Sequence, residues 1–237
     1  MMVDEKELDE RRYQYYLGLV AQIMALLQNR TPVPSTPPPV ERAFDALRRY
    51  EAGFERRARG MAEEVAAGRL SIPEFRDRMA DEIRYLHITA AAIARGRLAA
   101  LTPEDVIAVN QAVERQRRYL DRWTQSMLDP TPTDVTHLAS RAAMYASAGR
   151  ATMSAIHAAA IGMPELPFHP GDRTECLTHC GCRWTPVKLD GDGNWDVFWT
   201  RAKDDSCRTC LAREAACSPL RIRGGLILPF NATGTIA

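Results

Sequence analysis

"SIPEFRDRM", residues 71–79, carries the clearest folding instruction in the chain. Ser71 faces Glu74 three residues on, Pro73 falls in what would be a first helical turn, and apolar residues recur at Ile72, Phe75, Met79, Ile83, Leu86 and Ile93. A serine hydroxyl accepts from an unpaired amide of a starting helix while the glutamate reaches back to the serine's own amide. Proline is tolerated there because no intrahelical amide bond is yet due. Three- and four-residue spacing then gives a single buried stripe. "TPED" (102–105) repeats the device ahead of Val106, Val109, Val113, Leu120, Trp123 and Met127, and "TPTD" (131–134) opens a helix expected to run to about Met163. Three capped starts after short connections predict an antiparallel helical domain.

Working outward, residues 41–68 read as a further helix ending at Gly68, and residues 4–29 as an amphipathic one with the stripe Tyr13, Tyr16, Leu17, Val20, Ile23, Met24 and Leu27. Between them "TPVPSTPPPV" (31–40) holds five prolines in ten residues, an extended linker. The first helix is thus tethered by a stiff arm, suited to docking on another subunit or to folding back on its own bundle. At Pro164 the character changes. "RWTPVKL" and "NWDVFWT" flank the turn-rich "DGDG" and predict a β-hairpin. Residues 211–216 could form a helical turn or two, and "RIRGGLILPFNATGTIA" reads as an extended apolar arm.

Five of the six cysteines lie between 176 and 210, as Cys-x3-Cys-x-Cys, a 24-residue interval holding the hairpin, then Cys-x2-Cys. Zinc takes four thiolate or imidazole ligands tetrahedrally, and two short knuckles across a hairpin can supply them. Candidate ligands are Cys176, Cys180, Cys182, Cys207 and Cys210. Cys176 can pair with either Cys180 or Cys182, which point the same way on an extended backbone, whereas His179 faces away. A disulfide formed under oxidising conditions, or unliganded thiols in a small core, are the alternatives. Cys217 stands outside both knuckles as a buried or free thiol. A redox dithiol at Cys207 and Cys210 would need a helix start after a strand in a βαβ unit, which the pattern lacks. A catalytic zinc needs an open position and a base, so the expectation is a structural metal and no enzyme.

Other patterns carry less. Asp190, Asp192 and Asn194 imitate a calcium loop, but Trp195 and Arg201 stand where glycine and a bidentate glutamate are required. His87, His137 and His157 fall in helices as packing residues, and His169 precedes Pro170 in the connecting loop. Arg48, Arg49, Arg56, Arg57 and Arg59 could touch phosphates, although Glu51 and Glu55 nearby favour a solvated face. The formal charge is +1, and residues 164–237 carry nine basic and nine acidic side chains, so no basic tail advertises a polyanion. The charged start "MMVDEKELDERR" has no apolar signal core, and no run approaches a membrane span. A protein made in a reducing cytoplasm is the expectation, where clustered thiols favour metal over disulfide.

The order "GRLSIPEFRDRM", "IRYLHITAAAIARG", "QRRYLDRW", "RAAMYASAGR", "LPFHPGDRTECLTHCGCRW" and "SCRTCLA", across roughly 41–223, resembles the head-morphogenesis or minor head (minor capsid) proteins of tailed bacteriophages. The resemblance implies a helical virion protein in several copies, contacting the phage portal or the major capsid protein, with packaged DNA as a further contact. It also implies a metal at Cys176, Cys180, Cys182, Cys207 and Cys210. The family's knuckles often come in the opposite order, which leaves the pairing open. The reading is a mainly α fold: an N-terminal docking helix (1–30), a Pro-rich linker (31–40), an antiparallel helical domain (41–163), a zinc-ribbon-like β-hairpin module (164–223) and a C-terminal arm (224–237). Its rival is a zinc-ribbon nucleic-acid-binding protein, or a small metal-dependent nuclease using His169 or His179.

Overall fold

The computed structural model describes residues 35–128, 135–170, 181–202 and 206–230. The amphipathic segment 4–29 and the "TPTD" start therefore lie outside the described residues. What is described is mainly helical, with a small antiparallel sheet near the C-terminus. Helix α1 spans Val40–Ala66, α2 Ile72–Arg95, α3 Pro103–Ser126, α4 Val135–Met144, α5 Gly149–Ala160 and α6 Arg208–Cys217.

Both described capping boxes form. Glu74 N donates to Ser71 Oγ while Ser71 N donates to Glu74 Oε2, and Thr102 and Asp105 do the same for α3. Each is worth about 1 kcal/mol. Asp105 serves twice, because Arg95 in the last turn of α2 clamps its carboxylate at 2.7 and 2.9 Å. The cap of α3 is thereby tied to the end of α2 across the short Leu98–Ala100 3-10 turn. The stripes bury as their spacing demands: Phe75, Met79, Ile83 and Leu86 from α2 meet Val106, Val109, Val113, Leu120 and Trp123 from α3 in one core. Trp123 meets Phe75 edge-on at 5.5 Å and stacks on Tyr145 at 6.0 Å.

The helix expected to run unbroken to Met163 is interrupted. Residues Tyr145–Ala148 form a 3-10 turn between α4 and α5, and α5 ends at Ala160. Packing explains the break. A Cβ at Gly149 would stand 3.0 Å from both Cγ and Cδ1 of Leu86, so α5 starts where its backbone presses against α2. Tyr145 meanwhile turns inward onto Trp123.

The second core is small and built on strands β1 (Arg183–Lys188), β2 (Trp195–Thr200), β3 (Leu220–Arg223) and β4 (Leu226–Ile227), paired antiparallel in that order. The expected hairpin is present, with Trp184 opposite Trp199. Two expectations are corrected. The segment after Cys207 is a ten-residue helix, α6, and not a turn or two. The arm from 224 is not simply extended, since Gly224 and Gly225 form a positive-φ turn that folds β4 back onto β3. The two turns of the sheet then touch: Gly225 N donates to Gly193 O and Gly224 N to Asn194 Oδ1. A Cβ at Gly193 would lie 2.6 Å from Gly225 N, so glycine is required there.

Candidate metal centre

Alternation sorts the sheet into two faces. Trp184, Trp195, Val197, Trp199, Leu220 and Ile222 point inward, joined by Met163, Leu166, Cys182, Cys210, Ala216 and Cys217 in a single buried cluster, with Cys207 and Phe168 packed against it. Trp184 and Trp199 meet at 4.9 Å, each also touching Phe168, and Trp184 Nε1 donates to Phe168 O. Arg213 of α6 lays its guanidinium 4.0 Å over the Phe168 ring and 5.6 Å from that of Trp199, closing the aromatic group from the helix side.

The described cysteines enter this core from three places. Cys182 immediately precedes β1 and is buried. Cys207 occupies the N-cap position of α6, and Cys210 lies in that helix's first turn, fully buried. Unpaired amides and the helix dipole at an N-terminus favour thiolate over thiol, the form a metal requires. Cys207 and Cys210 begin a helix that follows β2, but β3 returns antiparallel to β2, so the βαβ unit a redox dithiol would need is not formed there. Gly181, next to Cys182, packs close to the chain leaving β2: a Cβ there would fall 2.7 Å from the Cβ of Ala202.

Cys217 is different. Its Sγ donates to Arg213 O at 2.8 Å at the far end of α6, and burial pushes its pKa up to about 11. It is held as a thiol, in keeping with its exclusion from the ligand set. Cys176, Cys180 and His179 lie outside the described residues. Among the described residues alone, no three histidines, cysteines or carboxylates gather as a metal site would need. Cys182, Cys207 and Cys210 thus share the core without gathering as three ligands of one metal.

The remaining candidates find structural positions. His87 is buried between α2 and α5 with Nδ1 2.7 Å from Thr152 Oγ1, and desolvation, with the charge of Arg115 second, lowers its pKa to about 4. His157 Nε2 meets Pro38 O at 2.8 Å, its pKa lowered by burial against the opposing pull of that bond. His137 is exposed. His169 Nδ1 stands 3.4 Å from Ser154 Oγ. Asn194 Nδ2 donates to Asp190 O, so the calcium-like loop is a hydrogen-bonded turn. In the arginine group, Arg57 is clamped by Glu82 at 2.6 and 2.7 Å and Arg48 by Asp45. That face is solvated as expected at Arg48, Arg49, Glu55, Arg56, Arg57 and Arg59, but Glu51 does not belong to it: it is buried and grips Arg150 of α5 through two bonds of 2.8 and 2.7 Å.

No protein-family model, curated protein or solved structure matches the chain. No described helix is long and apolar enough to cross a membrane.

Proposed function

We propose that this chain is a non-enzymatic minor head protein of a tailed bacteriophage, made in the host cytoplasm and assembled in several copies against portal or major capsid subunits. A structural zinc holds its C-terminal module. The resemblance in the order of helical and cysteine segments supports the virion role. What supports the metal reading is the cysteine spacing, together with the placing of Cys182, Cys207 and Cys210 in or against one small core, two of them at the N-terminus of α6.

The residues fit zinc by chemistry. Thiolates at a helix start are stabilised, and the segment bearing Cys180 and Cys182 is pressed against the one leaving β2 at Gly181 and Ala202. When bound, zinc would cross-link "ECLTHCGC" to "SCRTC". The module has a reason to need such a link. Its sheet is four short strands, and Trp195 Nε1 and Trp199 Nε1 are buried without a hydrogen-bond acceptor among the described residues. Each such orphan costs about 1–3 kcal/mol, and so small a core has little surplus to offset it.

Elemental analysis of the purified chain is expected to find one zinc per molecule. Cys210→Ser should lose it and render residues 181–230 sensitive to protease, while Cys217→Ser should keep it. Metal retained in Cys210→Ser, or none in the parent, would overturn the zinc reading. The virion role is tested separately, by whether the neighbouring genes encode a portal and a major capsid protein.

A further inference from the structure

The outer face of the sheet is the reverse of its core. In successive cross-strand rows it presents Arg183 with Thr200, Thr185 with Phe198, Val187 with Asp196 and Arg221, and Arg223 with Leu226. Leu228, whose amide donates to Arg221 O, extends the third row. Four of these side chains are apolar and open to solvent: Leu226 at 72%, Val187 at 45%, and Phe198 and Leu228 at 39% each. Asp196, the acid within these rows, is bound by Arg223 at 2.7 Å. An apolar strip edged by exposed Arg221 is left for a partner that is apolar and acidic, Arg183 at its far end being half-buried against Phe44.

The chain contains one. Residues 4–29 have an apolar stripe from Tyr13 to Leu27, preceded by Asp4, Glu5, Glu7, Asp9 and Glu10, which outnumber Lys6, Arg11 and Arg12 in the same stretch. Fifteen helical residues span roughly 22 Å, and a six-residue strand such as β1 or β2 about 20 Å, so stripe and strip match in length. The described chain begins beside the end of α2. Ser35 Oγ donates to Arg95 O, Thr36 O abuts Gly96, and His157 meets Pro38 O. From Phe44, whose ring lies 6.0 Å from the Arg183 guanidinium at the sheet's corner, the chain thus leads back to the end of α2. The described chain thus begins at the end of α2 and not at the sheet, which favours a neighbour's sheet over its own as the seat for residues 4–29.

We propose that the outer face of the β1–β4 sheet is the seat for residues 4–29 of a second copy of this chain. The contact is head-to-tail, so it propagates into a closed ring or an open row of copies. It deepens the reading of a multicopy head protein, yet its test needs neither portal nor zinc.

The test is light scattering coupled to size exclusion on the full chain across a concentration series. Parent protein is expected to self-associate, and both Ile23→Asp and Leu226→Asp to run as monomers. Mixing the two variants should restore a one-to-one dimer, because one retains the seat and the other the helix. Leu226 is the most exposed of the four, so its variant keeps the fold, checked by unchanged far-ultraviolet dichroism and zinc content. Self-association surviving in Ile23→Asp would mean that sheets pair face to face and would overturn the proposal. A parent that is monomeric at every concentration, or a mixture that stays monomeric, would overturn it equally. If zinc is absent but mixing restores the dimer, the metal reading falls and this one stands.

Discussion

Acidification should weaken the helical core through one side chain, His87. Its imidazole is buried with Nδ1 against Thr152 Oγ1, and its Nε2 has no hydrogen-bond partner among the described residues. The folded chain takes up a proton there only near pH 4, whereas an unfolded histidine does so near 6.5. The folded pKa is the lower one, so the unfolded state binds protons first as pH falls, and stability drops between about 6.5 and 4. Above that window the contribution is constant. A shift from 6.5 to about 4 corresponds to about 3 kcal/mol at the bottom of the window, at 1.36 kcal/mol for each unit. His157, also lowered, acts in the same direction, and carboxylates titrate nearby, so the quantity to measure is a difference. Urea denaturation followed by far-ultraviolet dichroism would be run from pH 7 to 4.5 on the parent and on His87→Met, which fills the site without a titrating group. The parent should lose about 2 kcal/mol more than the variant on going from pH 7 to pH 5. Parallel stability curves would refute the argument, since they would mean that His87 protonates in the folded chain as readily as in the unfolded one.

Two further outcomes rest on contacts between distant segments. Gly149→Ala should lower stability by about 1–2 kcal/mol in thermal melts, because its Cβ meets Leu86 at 3.0 Å in a packed core; an unchanged melt would show that α2 and α5 part freely. Glu51→Ala removes the two bonds by which Glu51 holds the mostly buried Arg150 guanidinium and should cost about 3 kcal/mol. In a double-mutant cycle, Glu51→Ala with Arg150→Met should be clearly more stable than Glu51→Ala alone, and additive losses would deny the coupling.

What the sequence revealed depended on whether the deciding partner was local. The starts of α2 and α3 were legible because Ser71–Glu74 and Thr102–Asp105 complete themselves within four residues. The hairpin of β1 and β2 was legible from its two aromatic runs and the glycines between them. The break at Tyr145–Ala148 was not, because its cause is Leu86 on another helix, and "YASAG" contains no proline to announce it. Glu51 lay on the buried row Leu47, Glu51, Phe54, Ala58, a signal available from helical spacing, but its meaning required Arg150, 99 positions away. The β3–β4 turn also had a local sign, the "GG" between "RIR" and "LIL", which was passed over for an arm. For the cysteines, spacing named the candidates. That Cys207 and Cys210 begin a helix, and that Cys217 sits at its opposite end, needed the fold.

The four tryptophans divide between the two cores in a way that has an optical consequence. Trp123 alone belongs to the helical core, while Trp184, Trp195 and Trp199 line the sheet. Arg213 lies over the last group's aromatic neighbours. A single Trp123→Phe exchange, conservative in a site already shared with Phe75 and Tyr145, would leave all indole emission to the sheet. The melting of the sheet could then be watched by the colour of its emission alone, apart from that of the helices and without a label.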